Sequence, residues 1–483
     1  MGTISSAFAL ISQGLDADQS ALNLVANNVA NANTPGYSEQ KPNWQENQPL
    51  VVDGVSYGAG VSETGAISVR DRVLEERLNQ QQQLASASGS RLTALNTLQA
   101  LFTPASGASG STAGDIGSDL TGFFSSFSSL EANPTNNALR QSVLSAATTL
   151  AGDVSNAAAS LNAQRSALDQ EASGVTSQVN ALTGAIAQLN HQIQSASPTK
   201  DAGTLEDQRQ QDLSQLSQLI GINQVTTENN GLSITTTSGQ LLVSEGSSFQ
   251  LTNGTVGGTT HFFLGGTDIT AQVATGGGQL GGLLTARDQD IPSVLNSLDN
   301  LAFNVSTQVN TLNNAGTDYS GVEGTGTNST GTVGTGTTPL YIFNQPAQVA
   351  GSAASMSVVM TDPNQIAAAG LGQGGGDNSN AVAMAALGNQ AIVNGKTPTD
   401  YYSSLASTLG STVAEVQTEN TAQSASVTQL QTQNNALSSV NLNDEAASMT
   451  TLERSYQAAS QVFAMLNTIM ASALNLGSQT TVS

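Results

Sequence analysis

From Ile4 to Val29 the apolar residues fall on two interleaved seven-residue series, Phe8, Leu15, Leu22, Val29 and Ile4, Ile11, Asp18, Val25. Together they make the stripe of an amphipathic helix, interrupted once by Asp18. At the other end of the chain Leu442, Met449, Tyr456, Phe463 and Met470 repeat at the same interval, with Glu445, Leu452, Ala459, Leu466 and Ala473 three positions on. Both termini are predicted to be heptad helices. A single stripe of this kind is satisfied by packing on its own core, but two matching stripes at opposite ends point to each other. Because lone helices of this length are marginal in water, the pair is expected to become fully ordered only where neighbouring copies supply more surface.

Between Leu50 and Val69 the valines and Gly54, Gly58, Gly60 and Gly65 predict short strands and turns. Helical periodicity follows through Leu74, Leu78, Leu92, Leu95 and Leu98. Asn133-Pro134 reads as the N-cap and first residue of a very long helix. Its seam is Val154, Leu161, Leu168, Val175, Leu182, Leu189 beside Ala158, Arg165, Ala172, Val179, Ile186, Ile193. About 60 helical residues would extend roughly 90 Å, which implies an elongated bundle. After a break at 197–203, LEDQRQQDLSQLSQLIG is helical up to Gly221, and the alternation on either side of Asn230-Gly231 predicts a hairpin. Strand-like pieces run to Val273, and a helix returns with Leu295, Leu298, Ala302, Val305, Val309 and Leu312 on one face. The Gly/Thr tract 315–338 reads as a loop, PLYIF and MSVVM as a second small β region, and 380–391 and 400–438 as helices.

The resulting expectation is an α+β multidomain fold: an elongated helical bundle with paired N- and C-terminal heptad helices and inserted small β domains. Residues 1–50 with 440–483 would form a terminal coiled-coil polymerisation domain. Residues 51–222 with 280–314 and 378–439 would form the bundle, 223–279 a β domain, and 315–377 a Gly/Thr-rich loop with a small β region.

Composition narrows the function. A chain of 483 residues can bury substantial cores without a metal or disulfide staple. It has no cysteine, which excludes thiol catalysis and Cys-based metal centres. Twelve Lys and Arg against 35 Asp and Glu give a net charge of -23, which repels nucleic acid and anionic membrane surfaces. The start, MGTISSAFALISQGLDADQ, carries no basic region and too short an apolar run for a signal peptide or a membrane span. His191 and His261 are the only imidazoles, and neither sits in a catalytic motif. Asp16 and Asp18, like Asp288 and Asp290, are spaced so that a helix places them on different faces. GGGDN at 374–378 lacks the Gly-Lys-Ser/Thr ending of a phosphate loop and reads as a turn or helix cap. No catalytic, cofactor or metal site is expected.

The stretch NNVANANTPGY, residues 27–37, closes the first heptad helix. Asn31 and Asn33 can bond locally to backbone, Pro35 drives Thr34 out of the helical region, and Pro35-Gly36 suits the centre of a type II turn leading to Tyr37. ANNVANANTPGY resembles the N-terminal motif of the flagellar axial family, the rod, hook and hook-associated proteins. VNLNDEAASMTTLERSYQAASQVFAMLNTIMASAL, residues 440–474, is similar to that family's C-terminal partner motif. The blocks at 205–221, 278–292 and 376–387 look like those of its hook-associated branch, and the tract at 321–338 departs from the pattern as a possible insertion.

This resemblance implies a structural subunit without enzymatic activity at the junction of hook and filament. It implies self-assembly, with hook protein below and hook-associated protein 3 above. It further implies passage through the flagellar type III export apparatus, a cytosolic export chaperone on the C-terminal helix, and a final extracellular position on the flagellum after a transient cytoplasmic stage. Packing between subunits is then expected at Ile4, Phe8, Ile11, Leu15, Leu22, Val25 and Val29, and at Leu442, Met449, Leu452, Tyr456, Phe463, Leu466 and Met470. Two alternatives remain: another axial subunit of hook or distal rod type, or an extracellular adhesin, for which the β regions offer no aromatic platform.

Overall fold

The N-terminal heptad stripe folds as helix α1, Gly2–Asn31. Four short strands follow, β1 (Gln40–Glu46), β2 (Leu50–Val52), β3 (Val55–Tyr57) and β4 (Val61–Ser68). β1 pairs antiparallel with β4 and β2 with β3, one ribbon nested within the other. The computed structural model describes residues 2–52, 55–102, 116–196 and 201–479, with the side chains of residues 2–5, 50, 52, 55, 196, 229 and 474–479 outside the description. The Ile4 side chain and the turn glycine Gly54 therefore lie outside it.

Helices α2 (Arg72–Leu101), α3 (Ile116–Ala132), α4 (Asn137–Ala196) and α5 (Thr204–Leu219) come next, and α4 runs for 60 residues. Asn133 and Pro134 do not open α4 as predicted; they form the turn before it, and Asn136 Oδ1 accepts from the Ala138 amide at 2.9 Å instead. The reason lies in Arg140, whose Nε and Nη2 both take the Pro134 carbonyl and hold that turn outside the helix. Strands β5 (Ile222–Thr226), β6 (Leu232–Thr236), β7 (Leu241–Ser244) and β8 (Ser247–Ser248) make an antiparallel sheet in chain order. Asn230 and Gly231 do lie between paired strands, but the connection is five residues long with a 3-10 turn at Glu228–Asn230. Strands β9 (Leu251–Val256), β10 (Thr259–Leu264) and β11 (Thr267–Asp268) form a second meander.

The remaining helices are α6 (Thr270–Gly276), α7 (Gly278–Thr285), α8 (Ile291–Asn314), α9 (Ser352–Ser355), α10 (Ser379–Leu387), α11 (Pro398–Ser438) and α12 (Leu442–Gln479). A π-helical turn, Ala286–Asp290, joins α7 to α8. Strands β12 (Gly316–Thr317) and β13 (Ala369–Gly370) are two residues each. PLYIF and MSVVM meet only through an isolated bridge, Phe343 to Val358, rather than a sheet. Side chains of α8 replace the missing strand: Asn310 Oδ1 accepts from the Ile342 and Phe343 amides at 3.0 Å, and Asn313 Nδ2 donates to the Leu340 carbonyl at 2.7 Å. The Gly/Thr tract folds back on the end of the same helix, where Asn314 Oδ1 accepts from the amides of Thr325 and Leu340.

The chain forms two compact units. The first gathers Met1–Ala85, Thr176–Gly278 and Gln423–Ser483. Its core is apolar, with Val179, Ile186, Leu216, Ile234, Leu242 and Phe262 all buried. Buried amides join helix to sheet there: Asn190 Nδ2 donates to the carbonyls of Leu232 and Glu245 at 2.8 and 2.9 Å. Gly221 needs its missing side chain for close approach, since a Cβ there would lie 1.8 Å from the Gly276 carbonyl oxygen. The second unit gathers Ser86–Val175 and Gln279–Ala422. Phe123 is its hub, with ring centroids of Phe124, Phe127 and Phe343 at 5.2, 5.3 and 5.5 Å. Arg287, fully buried, pairs with Asp169 at 2.5 Å and Asp288 at 2.8 Å.

Candidate assembly surface

In the first unit α1 lies against α12 and against β1 and β4. Phe8 meets Phe463 with ring centroids 4.3 Å apart, and Asn28 meets Glu445 at 2.7 Å. Eight is thus opposite 463 and 28 opposite 445, so the two helices run antiparallel and in nearly constant register.

The heptad residues divide between two environments. Phe8, Ile11, Leu15 and Leu22 on α1, and Leu452, Phe463 and Leu466 on α12, are half-buried, while Val25 and Glu445 are buried. Leu442, Met449, Tyr456 and Met470, one whole seven-residue series save Phe463, are exposed. Val462, Met465 and Ile469, spaced as a separate stripe of the helix, are exposed as well, with Met465 at 59% and Ile469 at 52% exposure, and on α1 Leu10 and Val29 are also exposed. α12 therefore meets α1 through a member of each series, Phe463 and Glu445, and leaves the other members of the Leu442 series exposed. Exposed apolar residues clustered on one helix are candidates for contact with a partner.

The root of α1 is organised by polar contacts. Pro35 and Gly36 occupy the centre of a turn closed by the Tyr37 amide on the Thr34 carbonyl at 3.2 Å, with Gly36 at φ 79°. Asn31 Nδ2 donates to the Asn27 carbonyl and to its Oδ1, Thr34 bonds Asn31, and Asn33 is exposed. Asn28, 1% exposed, fills all its capacity: Nδ2 donates to Glu445 Oε1 and the Gln40 carbonyl, and Oδ1 accepts from the Tyr37 hydroxyl and the Gln40 amide. Burial, then the nearby carboxylates of Asp207 and Glu445, push the Tyr37 hydroxyl up to about 12. Burial also raises the Glu445 carboxyl, with the Asn28 hydrogen bond pulling the other way.

Below this lies a charged knot. Asp207 accepts from the Ser38 amide and hydroxyl at 3.2 and 2.8 Å and from the Arg70 guanidinium. Arg70 also faces Glu206 at 3.5 Å, and Arg72 donates to Glu206 at 2.9 Å. Asp201 takes the Ser68 amide and hydroxyl at 2.9 and 3.0 Å. Both strands at the open end of the β1–β4 ribbon are thereby fixed to the start of α5 and the residues just before it. Desolvation raises the Asp207 carboxyl against the pull of Arg70 and Ser38.

The remaining candidates are structural. His191 is exposed on α4, and His261 Nδ1 lies 2.6 Å from Asp268 on the neighbouring strand. Hydrogen bonds from Thr270, then His261, hold the Asp268 carboxyl down to about 2. Asp290 is bidentate with Arg91 at 2.8 and 2.9 Å, and Asp377 accepts from the Gly370 and Ser379 amides next to α10. Among the described residues no His, Asp and Glu cluster could hold a metal ion, and no helix is long and apolar enough to cross a membrane.

Sequence reasoning missed Asn28, Ser38 and Asp207. The sign of Asn28 was present in Ala17, Ala21, Val25, Asn28, which is the most buried stripe of α1. Small residues at helical spacing leading to an asparagine mark close packing that ends in a polar clamp. A heptad pattern of large apolar side chains does not include this stripe.

The family model described as the flagellar hook-associated protein FlgK helical domain matches residues 106–328, and that of the flagella basal body rod protein matches residues 12–37. The chain is 25% identical to flagellar hook-associated protein 1 of Escherichia coli, over 96% of this chain and 98% of that one. It is 24% identical to the protein of the same name from Bacillus subtilis, over 96% of each. The flagellar hook junction protein FlgK of Burkholderia pseudomallei shares the fold, with a TM-score of 0.62 over 74% of this chain and 99% of that one, at 18% identity.

Proposed function

This chain belongs to the flagellar hook-associated protein 1 family, and we propose that it builds the hook–filament junction by packing its terminal helices against those of neighbouring copies. It is a structural subunit of the flagellum. The observation that carries the packing mode is that Leu442, Met449, Tyr456 and Met470 stay exposed on α12 while Phe463 and Glu445 meet α1. With 36–52% of their surface still open, covering these side chains contributes about 0.5–1.5 kcal/mol each, so copies that meet along them gain from several at once. The half-buried Phe8, Ile11, Leu15 and Leu22 would then be sealed by the same neighbours.

The partners in this reading come from the family resemblance, and the exposed face of α12 is where they would bind. Hook protein on one side, hook-associated protein 3 on the other and further copies of this chain supply apolar surface in the finished structure. Before export, a cytosolic chaperone on α12 would shield Met465 and Ile469 from aggregation. Travel through the flagellar type III apparatus would then leave the subunit outside the cell.

Deleting the gene tests the role. Electron microscopy is expected to show hooks without filaments and flagellin lost to the medium. Normal filaments would contradict it, and missing hooks would favour a more proximal axial position.

A further inference from the structure

The sequence contains three Asn-Gly pairs, Asn230-Gly231, Asn253-Gly254 and Asn394-Gly395. Each sets a carboxamide carbon before a main-chain nitrogen that no side chain shields, the arrangement in which asparagine can cyclise by attack of that nitrogen. The fold controls two requirements of the reaction, a glycine N–H that is not already bonded and room for the backbone to rotate.

At the first two pairs the fold withholds them. The Gly231 amide donates to the Glu228 carbonyl at 3.1 Å, and the Asn230 carbonyl accepts from Arg209 at 2.8 Å. A Cβ on Gly231 would collide with the side chains of Gln194 and Thr227, so this peptide is hemmed in. Asn253 and Gly254 lie inside β9, opposite Phe262 and His261 of β10, and the ring of Phe263 lies against Gly254. Strand pairing keeps both residues extended.

Asn394-Gly395 differs in each respect. Both residues are exposed and occupy the centre of the turn between Val393 and Lys396, with φ of 48° and 77°. The reciprocal backbone bonds of Val393 and Lys396, at 3.1 and 2.9 Å, close that turn. Among the described residues neither the Gly395 amide nor the Asn394 carboxamide has a partner, and the place of a Cβ on Gly395 has nothing within 4 Å.

We propose that Asn394 is a deamidation site, singled out from the other two pairs by its exposed turn. The Gly395 nitrogen gives its proton to solvent and bonds Asn394 Cγ, the Cγ–Nδ2 bond breaks, and ammonia leaves with a proton taken from solvent. Water then opens the succinimide at either carbonyl, leaving aspartate or isoaspartate. Isoaspartate lengthens the main chain of a two-residue turn, so the Val393–Lys396 bridge loses its register. Val393 is fully buried, and Lys396 Nζ donates to Ser404 Oγ at 2.6 Å, so the change is felt in the first turns of α11. The proposal requires nothing of how the chain assembles.

The test holds purified full-length protein at mildly alkaline pH and maps its peptides by mass spectrometry at intervals, with isoaspartate located by methyltransferase labelling. Conversion at Asn394 is expected to run at least about tenfold faster than at Asn230 or Asn253, where the Gly231 bond must break or β9 must open first. In denaturing urea the three pairs should convert at similar rates. Asn394→Gln, which would have to close a larger ring, should lose most of the label that the native protein acquires. Equal or faster conversion at Asn230 or Asn253 in the native protein, or label undiminished in Asn394→Gln, would overturn the proposal. A lead of Asn394 that persists unchanged in urea would also overturn it, because the turn would not be its cause.

Discussion

Asn28 and Glu445 are 417 residues apart in the chain and 2.7 Å apart in space. The bond locks the C-terminal end of α1 to the start of α12, and through Gln40 and Tyr37 it ties both to the ribbon that follows. Asn28→Ala strands the Glu445 carboxylate, the Tyr37 hydroxyl and a strand backbone at once. It is expected to cost about 1–3 kcal/mol in the first unit. Urea unfolding of single and double variants with Glu445→Gln checks this, and additive losses would show that the pair is uncoupled.

Tyr37 supplies a pH-dependent readout of the same clamp. Its folded value, about 12, lies above the ordinary 10.0, so the folded state holds the proton more tightly. The contribution is complete below pH 10 and disappears as pH rises toward 12. Tyrosinate absorbance of the wild type minus that of Tyr37→Phe should titrate near the upper value. A difference curve centred near the lower one would show an unclamped hydroxyl.

Asp207→Ala removes the partner of the buried Arg70 guanidinium and of Ser38. Breaking a buried pair from one side costs about 3–5 kcal/mol, and a loss of that order is expected by urea unfolding. Asp207→Asn keeps an acceptor for Ser38 and should lose less. Equal losses would mean that the charge is immaterial.

Gly221→Ala places a methyl where the Gly276 carbonyl oxygen already sits. Overpacking of this kind costs about 1–3 kcal/mol, read as a lower urea midpoint with an unchanged slope. An unchanged midpoint would mean that the backbone gives way freely.

The helices were legible in the sequence because side chains every three or four residues report a helical face directly. α4 was recovered to within a few residues at its start, and that shift came from Arg140 reaching back to a carbonyl, which periodicity does not encode. PLYIF and MSVVM have strand-like composition, but α8 amides take over the strand hydrogen bonds, a substitution visible only in three dimensions. On the terminal helices the apolar residues were readable, but which of them meet the other helix and which stay exposed was not. A heptad is the same pattern whether its partner is another part of the chain or another copy.

The central claim is that the exposed apolar side chains of α12 are covered by neighbouring copies. A reconstruction of isolated hook–filament junctions at side-chain detail measures this directly. Leu442, Met449, Met465 and Ile469, exposed in the single chain, should be buried against α1 or α12 of adjacent subunits. If they remain open to solvent in the assembled junction, the assignment of this face to assembly is wrong.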